Sequence, residues 1–464
     1  MHISVQNTSV RIAYVGGGSL NWAISLMGDL ASDSRLAAEV RLFDTDFEAA
    51  CRNAEIGKRF ASVSAGEPAK YSAHKEISEA LDGAGLVVIS ILPGAFEDMA
   101  QDVGIPASFG VPQAVGDTVG PGGLFRALRA APMMMDIARA IRLFAPDAFV
   151  CNLTNPMSVC TGALYAAYPE IKAWGECHEV TKIRRQVTWI ANREAGKPVF
   201  DHRQVQVRVK GINHFTFVDQ MALAGQDMMP AYRAFASEFE RSGWLQVEAG
   251  KTPEHDRYFG TRNLVSFDLF RRFGIPAAAG DRHLAEFLPV KDYLNDPESW
   301  GFALTPVSYR IQDRKEKLSK VTKLLDGTTA PIVTRSDESL LDQIVALSTG
   351  VPFVSNVNLP NIGQIDGLPL GHIVETNAIF DGTGMSPVCA GSLPEGLNAI
   401  MCDHATRQSE LISALNNEDA AQIFALFQSD PLVRDLPLEK MREMFDQMRS
   451  ATAPWLPDYL RKAA

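Results

Sequence analysis

The residues best suited to chemistry lie in three short polar stretches. Residues 175–180 read Gly-Glu-Cys-His-Glu-Val, so a thiol, an imidazole and two carboxylates are close neighbours. Residues 211–214 read Gly-Ile-Asn-His, and residues 151–156 read Cys-Asn-Leu-Thr-Asn-Pro. Thiolates and imidazoles are ligands for borderline divalent metals, and asparagine amides can bind hydroxyl groups. We interpret the three stretches as one metal and substrate site.

Cys177 and His214 are the candidate metal ligands, because each follows a predicted strand. A divalent metal would bind the thiolate and the imidazole, and substrate oxygens and water would complete its coordination shell. In the structural alternative, Cys177 is a small buried hydrophobic residue and His214 is simply hydrogen-bonded. The residues alone leave both interpretations open.

Two further clusters have a functional and a structural interpretation. Residues 280–283 read Gly-Asp-Arg-His, with Glu286 one helical turn beyond, and form either an exposed loop or a working site. The apolar residues 275–279 favour a partly buried setting, and hence function. Residues 116–123 read Gly-Asp-Thr-Val-Gly-Pro-Gly-Gly, so the backbone around Asp117 either approaches a ligand or makes a flexible turn before a helix.

The N-terminal pattern is typical of a Rossmann-type dinucleotide-binding unit. A strand at residues 10–15 leads into three glycines, a helix at residues 20–30, and a second strand at residues 39–43. Glycines let the backbone approach a pyrophosphate, and an acid after the second strand binds a ribose hydroxyl. Such an acid would repel a 2′-phosphate, which favours NAD over NADP. The candidate cofactor contacts are Gly16, Gly17, Gly18, Ser19, Asp44 and Asn21, the last in place of the usual third glycine.

The following elements predict a parallel sheet that carries the polar stretches at one edge. Predicted strands at residues 86–92, 149–153 and 171–176 alternate with helices, one of them at residues 132–144. Ligands of such sheets bind beyond the carboxyl ends of the strands. The asparagines of the 151–156 stretch and the Cys-His pair of the 175–180 stretch both fall there.

The second half of the chain mixes helices and strands without an internal repeat or a low-complexity linker. We therefore predict an α/β fold in which an N-terminal Rossmann-type parallel sheet interlocks with a C-terminal α+β domain. Residues 1–200 would bind NAD, and residues 201–464 would bind substrate and metal and form oligomers. The predicted strands are 204–210, 353–356 and 373–376, and the predicted helices are 228–241, 264–273, 336–348, 404–415 and 419–428.

Composition excludes several classes of protein. The net charge of −11 argues against nucleic acid as the main partner, since nucleic-acid-binding proteins display basic surfaces. No window approaches the roughly 18 to 20 apolar residues of a membrane span, and no secretory signal is visible. Six cysteines in 464 residues are too few for a disulfide framework, so we expect a cytoplasmic protein.

Taken together, the motifs resemble glycoside hydrolase family 4, the NAD-dependent glycosidases. The resemblance covers the glycine turn, the stretches around residues 117, 155, 177 and 214, and residues 358–370 near the C-terminal end. It implies that NAD⁺ takes hydride from C3 of the sugar, after which a base removes the C2 proton. The C1 leaving group is then eliminated, water adds, and hydride returns to C3. A divalent metal, usually Mn²⁺, would hold the C2 and C3 oxygens.

Carried over by position, the resemblance assigns roles to individual residues. Cys177 and His214 match the metal ligands, and Asn155 matches a substrate-binding asparagine. His178 lies where some members have a general acid, although it would alternatively bind a sugar hydroxyl. Several members use a tyrosine as base, and this sequence has Asp281 there, so a metal-activated water positioned by Asp281 is expected. Asp117 is assigned to the catalytic residues and Asn152 to the cofactor contacts.

The substrate class follows from the Cys-His-Glu-Val sequence, which resembles the subgroup that includes α-galacturonidases. Phospho-sugar members have an arginine where residues 93–95 read Pro-Gly-Ala. We therefore expect an α-glycoside of a uronic acid, its carboxylate paired with Arg282 or Arg126, with His283 and His178 also contacting the sugar.

The sequence leaves other functions open. Within the family they are an α-glucosidase, an α-galactosidase or an α-glucuronidase. From other classes they are a 2-hydroxy acid dehydrogenase and a non-catalytic NAD-binding sensor. The family also implies a homodimer or homotetramer.

Overall fold

A computed structural model describes residues 8–247 and 251–462. Its N-terminal half contains six parallel strands in the order β3-β2-β1-β4-β5-β6, with β1 in register beside both β2 and β4. This order is that of a Rossmann-type sheet, and it confirms the predicted fold class. The strands are β1 (Thr8–Val15), β2 (Leu36–Phe43), β3 (Lys70–His74), β4 (Leu86–Ile89), β5 (Phe149–Asn152) and β6 (Lys172–Gly175).

Helices cover both faces of this parallel sheet. Successive side chains of a strand point to opposite faces, so Ile12 and Tyr14 join one buried core while Ala13 and Val15 join another. Both faces of the central strands are therefore apolar, as the sequence patterns predict. The helices of this half are α1 (Trp22–Ser32), α2 (Phe47–Ala61), α3 (Ile77–Leu81), α4 (Phe96–Ser108), α5 (Gly120–Phe144), α6 (Met157–Ala167) and α7 (Thr181–Ala195).

Antiparallel strands from the second half extend the same sheet. Strand β10 pairs with β12, and it joins β6 where Asn358 lies opposite Gly175. Strand β12 also pairs with β7, which pairs with β8, so the two halves share one continuous sheet. The strands of this half are β7 (Gln206–Ile212), β8 (Phe215–Leu223), β9 (Gln226–Asp227), β10 (Phe353–Pro360), β11 (Ile365–Asp366), β12 (Ile373–Asp381), β13 (Gly384–Pro387) and β14 (Gly391–Ser392).

Helices near the C-terminal end pack against helices of the first half, and the helix that begins at Leu340 packs against the antiparallel extension of the sheet. A domain division near residue 200 falls between α7 and β7, and it stays a prediction. The helices are α8 (Met229–Phe239), α9 (Pro253–Phe259), α10 (Leu264–Phe273), α11 (Asp281–Leu284), α12 (Val290–Tyr293), α13 (Val307–Leu325), α14 (Leu340–Thr349), α15 (Glu395–Asn416), α16 (Ala420–Ser429), α17 (Leu438–Thr452) and α18 (Asp458–Lys462).

Several predicted element boundaries differ from the observed ones for identifiable reasons. The helix predicted at residues 336–348 begins only at Leu340, because the backbone and hydroxyl of Ser336 both donate to the Asp29 carboxylate. The helix predicted at residues 132–144 begins at Gly120, and its interior contains Pro132. Helix α13 was not predicted, since only two of its residues are buried and its apolar pattern is weak.

Within residues 8–247 and 251–462, no helix combines the length and the apolar character that a membrane span needs.

Candidate active site

Three side chains that can ligate metal come together at the carboxyl edge of the parallel strands. Asp117, His214 and His283 each offer a ligand atom, and these atoms lie within 4.8 Å of one another. Asp117 lies in the loop before α5, His214 in the turn between β7 and β8, and His283 in the short helix α11. A carboxylate with two imidazoles is a ligand set that divalent transition metals accept.

His214 is held in an unusual backbone conformation. It lies in the two-residue turn between β7 and β8 with φ of 65°, a region that non-glycine residues rarely adopt. Thr118 donates its single hydroxyl proton to Asp117 at 2.8 Å, and the same oxygen lies 2.7 Å from Nδ1 of His214. Nδ1 of His214 therefore donates to Thr118, and Nε2 keeps the lone pair that a metal needs.

Asp117 is ionised although it is enclosed. Burial alone would raise its pKa, but His283, His214, Arg126 and Arg310 outweigh burial and lower the pKa of Asp117, and the two arginines still favour the ionised form when both imidazoles are neutral. Asn155 donates to the second carboxylate oxygen at 3.3 Å. The carboxylate is thus charged, oriented and ready to bind a cation.

His283 is in the form that binds metal. Its ring stacks on that of His214, with centroids 3.8 Å apart. Burial and the neighbouring His214 lower the pKa of His283 well below its usual range, so the imidazole is neutral. Nε2 of His283 lies 3.8 Å from the Glu179 carboxylate, which also binds Lys182 at 2.9 Å and the Gly280 N–H at 2.9 Å.

Cys177 is buried next to these residues but does not belong to the group of three. Burial, together with Glu375 and Glu179, raises the pKa of the Cys177 thiol well above its usual range. The carbonyl of Cys177 accepts a hydrogen bond from Asn356 at 3.4 Å. The ligand pair of Cys177 and His214 stays a prediction, and the structure adds Asp117 and His283 beside His214.

His178 is half-exposed and lies close to the first helix after the glycine turn. Its Nδ1 lies 3.1 Å from Glu338, and its ring lies 5.5 Å from that of Trp22 in α1. Burial lowers the pKa of His178, but the Glu338 carboxylate outweighs this effect and raises it to about 9. His178 is therefore protonated at neutral pH, which is the form that a general acid requires.

Asp281 has mainly structural contacts. Its carboxylate accepts hydrogen bonds from the Thr261 hydroxyl at 2.7 Å and from the backbone N–H and hydroxyl of Ser266 at 3.0 and 2.9 Å. Ser266 lies in the first turn of α10, so Asp281 satisfies an N–H group at the start of that helix. Burial raises the pKa of Asp281. Its assigned role in positioning water stays a prediction.

The two asparagines of the 151–156 stretch differ in how much of their side chain is already used. Asn152 is fully buried, and its amide atoms bond Thr154 and Thr161. Asn155 donates to Asp117, whereas its Oδ1 is buried and has no partner within the described parts of the chain. Asn155 thus has an acceptor available for a sugar hydroxyl, and the cofactor contact assigned to Asn152 stays a prediction.

Of the two arginines expected to bind a carboxylate, Arg126 lies near Asp117 and Arg282 directly precedes His283 in the chain. Arg282 donates to the Thr305 hydroxyl, and its guanidinium lies 4.5 Å from the centre of the Phe259 ring. Arg126 donates through Nε to the Asn155 carbonyl at 3.2 Å. Both cations are therefore held in place beside the metal-ligating group.

The glycine turn after β1 is shaped for close backbone packing. Gly16 has φ of +90°, and a Cβ there would lie 2.0 Å from the Ser90 carbonyl oxygen, so only glycine fits. Asn53, which sequence reasoning missed, donates to the carbonyls of Gly17 and Ser19 at 2.7 and 2.8 Å and fixes the turn.

The predicted acid lies beside this turn. Asp44 follows β2 and accepts the Gly18 N–H at 2.8 Å. Helix α1 begins directly after Asn21, whose side chain makes no capping bond to it. A glycine turn, a helix N-terminus and an acid in this arrangement suit a dinucleotide. The individual cofactor contacts all stay predictions, namely those assigned to Gly16, Gly17, Gly18, Ser19, Asn21 and Asp44.

Sequence reasoning missed two supporting residues of the site, Thr118 and Glu338, and gave no specific role to a third, Glu286. Thr118 connects Asp117 to His214, Glu338 holds His178, and Glu286 accepts the N–H groups of residues 115 and 116 in the Asp117 loop. Apart from the contact between Thr118 and Asp117, each of these contacts joins residues that are far apart in the chain. No local sequence pattern therefore predicts them. The sequence predicts Glu286 only as part of the polar cluster that begins at residue 280.

Known proteins resemble this chain over nearly its whole length. Alpha-galacturonidases from Thermoanaerobacter italicus and from Bacillus subtilis are 41% and 42% identical to it. These alignments cover 95% of both chains in the first case, and 96% of this chain and 98% of the relative in the second.

Solved structures share the fold of this chain over nearly its whole length. The Bacillus subtilis protein lplD superposes with a TM-score of 0.89 at 41% identity, over 95% of this chain and 99% of that one. A 6-phospho-alpha-glucosidase from gut microorganisms, solved with NAD and Mn²⁺, has a TM-score of 0.80 at 19% identity, over 97% and 99% of the two chains. The latter likeness concerns the fold alone.

Two sequence profiles describe the family. The profile of family 4 glycosyl hydrolases matches residues 11–192, and the profile of the C-terminal domain of that family matches residues 209–433. Together they cover most of the chain, in the order in which its motifs occur. The chain belongs to family 4 of the glycosyl hydrolases.

Proposed function

We propose that the protein is an α-galacturonidase that uses NAD and a divalent metal, with Mn²⁺ as the expected ion. The observation that carries this proposal is the combination of a metal-ligating group with nearby cationic side chains: Asp117 lies beside two imidazoles and near Arg126 and Arg310. Relatives named alpha-galacturonidase at about 40% identity support the same substrate.

The cofactors suit the residues available. When bound, NAD and the metal supply reversible oxidation at C3 of the sugar and Lewis-acid stabilisation of negative charge on the C2 and C3 oxygens. Asp117, His214 and His283 would hold the metal, with Cys177 as a further proposed ligand. The turn at residues 16–19 and Asp44 would hold the dinucleotide.

Other residues would handle the sugar and its protons. Asn155 accepts a hydrogen bond from a sugar hydroxyl through its unpartnered Oδ1. His178, protonated beside Glu338, donates a proton to the departing glycosidic oxygen. Asp281 orients the water that takes the C2 proton. Arg282 and Arg126 attract the uronate carboxylate.

We further propose a cytoplasmic homodimer or homotetramer with the domain division near residue 200. All six cysteines are free, which suits a reducing compartment. Small-molecule glycosides are the proposed partners.

The proposal is tested by comparing p-nitrophenyl α-galacturonide with the α-glucuronide, α-glucoside and α-galactoside under reducing conditions, with Mn²⁺ and NAD⁺ present. We expect preferential cleavage of the galacturonide without net formation of NADH. Preference for a neutral sugar would overturn the uronate assignment. Net NADH would favour the 2-hydroxy acid dehydrogenase, and NAD binding without turnover of any glycoside would favour the sensor.

A further inference from the structure

Arg310 is an arginine of the site that the sequence patterns do not single out. It lies in the first turn of α13. Its Nε is buried and has no hydrogen-bond partner among residues 8–247 and 251–462. Enclosing a guanidinium N–H without an acceptor costs free energy, so an acceptor from a ligand would remove a penalty that the protein otherwise carries.

The surrounding contacts fix the start of α13 against the site. The Thr305 N–H donates to the Ala114 carbonyl at 3.1 Å, and the Thr305 hydroxyl accepts a hydrogen bond from Arg282. Tyr309 packs on Phe259, the ring beneath the Arg282 guanidinium, with centroids 5.9 Å apart. The turn that carries Arg310 is thus tied both to Arg282 and to the loop that leads to Asp117.

The charges of Asp117, Arg282 and Arg126 all act on the Arg310 guanidinium. Burial lowers the pKa of Arg310 to about 10, Asp117 opposes this effect, and Arg282 and Arg126 add to it by repulsion. Arg310 is still charged at neutral pH. Glu286 also acts on this guanidinium, but its own oxygens accept backbone N–H groups of the 115–116 segment. The charged Arg310 guanidinium therefore still has a buried N–H group that an anionic ligand could accept from.

We propose that Arg310 is a specificity-determining residue that binds the carboxylate of the uronic acid. The edge of a guanidinium that contains Nε can donate two parallel hydrogen bonds to the two oxygens of a carboxylate. In Arg310, the Nε of this edge has no acceptor in the part of the chain that the structure describes. Arg126 already donates its own Nε to the Asn155 carbonyl, so the same edge is less available there. This inference rests on the proposed galacturonidase function and names the residue that selects a uronate over a neutral sugar.

The test compares Arg310→Gln and Arg310→Lys with Arg314→Gln, all as the full chain loaded with NAD⁺ and Mn²⁺. Arg314 lies one turn further along α13, is exposed, and lies 5.8 Å from the centre of the Phe96 ring. It serves as a matched control on the same helix. Two quantities are measured: kcat/KM for the p-nitrophenyl galacturonide and galactoside, and the affinity for free galacturonate and galactose by calorimetry.

We expect Arg310→Gln to lower kcat/KM for the galacturonide by about 100-fold, mostly through KM, and to weaken galacturonate binding similarly. The galactoside and galactose values should change by less than about threefold, Arg310→Lys should be intermediate, and Arg314→Gln should match the wild type. If Arg310→Gln does not fold, Arg310→Lys becomes the test of carboxylate binding, because it retains the charge but loses the paired hydrogen bonds.

The outcomes separate this inference from the function on which it rests. If the wild type cleaves no α-galacturonide, the proposed function is wrong. If the wild type prefers galacturonide and the Arg310 variants keep the same preference for galacturonate over galactose, the function stands and the role of Arg310 is wrong.

Discussion

The imidazole rings of His214 and His283 stack with centroids 3.8 Å apart and planes inclined by 30°. Burial lowers the pKa of both histidines, and repulsion from His214 lowers the pKa of His283 further. A neutral histidine pair beside an ionised Asp117 is a site prepared for a cation.

Removal of His283 tests this arrangement. We expect His283→Ala to weaken Mn²⁺ binding at least tenfold, since even residues that only orient metal ligands typically contribute 10- to 100-fold. The measurement is the rise in melting temperature on adding Mn²⁺ to metal-free protein, which reports binding without turnover. His372→Ala, outside the site, is the control. Unchanged Mn²⁺ binding in His283→Ala, together with its loss in Cys177→Ser, would show that the metal binds through Cys177 and not through His283.

The general-acid role of His178 predicts a dependence on the leaving group. p-Nitrophenolate departs readily without a proton, whereas a sugar or alkyl alkoxide does not. We expect His178→Ala to lower kcat by about 100-fold or more for digalacturonate but far less for the p-nitrophenyl glycoside. Equal losses on both substrates would instead favour binding of a sugar hydroxyl by His178.

Glu286 predicts a pH dependence of stability. Burial raises its pKa from 4.5 to about 7, so between these pH values the folded protein holds a proton that the unfolded chain has lost. The contribution of Glu286 to stability is therefore greatest at low pH and falls as pH rises through this window, by up to about 3 kcal/mol.

Glu286→Gln removes this titration. We expect the melting temperature of metal-free wild-type protein to fall more between pH 5 and pH 8 than that of the variant. The Gln side chain keeps the shape but loses one acceptor for the N–H groups of Val115 and Gly116, so some destabilisation at pH 5 is also expected. Identical pH profiles for the two proteins would contradict the raised pKa.

The fold was more predictable than the supporting contacts of the site. Buried parallel strands read as continuous apolar runs, so β1, β4 and β5 were identified close to their observed bounds. The start of α14 was predicted too early, because it depends on a hydrogen bond between Ser336 and Asp29, two residues that are far apart in the sequence. Local propensity carries no information about such a contact.

In the candidate site, too, residues placed by local sequence patterns were predicted, and residues placed by tertiary packing were not. His214 and Asn155 were predicted because each follows a strand, and strand ends meet at one edge of the sheet. His283 was predicted as a sugar contact, whereas the structure brings it to the metal-ligating group. Arg310 was missed, because α13 has a weak apolar pattern and its approach to Asp117 depends on tertiary packing.

The most direct test of the elimination route is a hydrolysis carried out in D₂O with Mn²⁺ and NAD⁺. A base that removes the C2 proton returns one from solvent when the sugar is reformed, so galacturonate released by the enzyme should carry deuterium at C2. The label is read by NMR or mass spectrometry, with free galacturonate incubated alone as control. Product that retains only hydrogen at C2 would contradict the account and indicate direct displacement at C1.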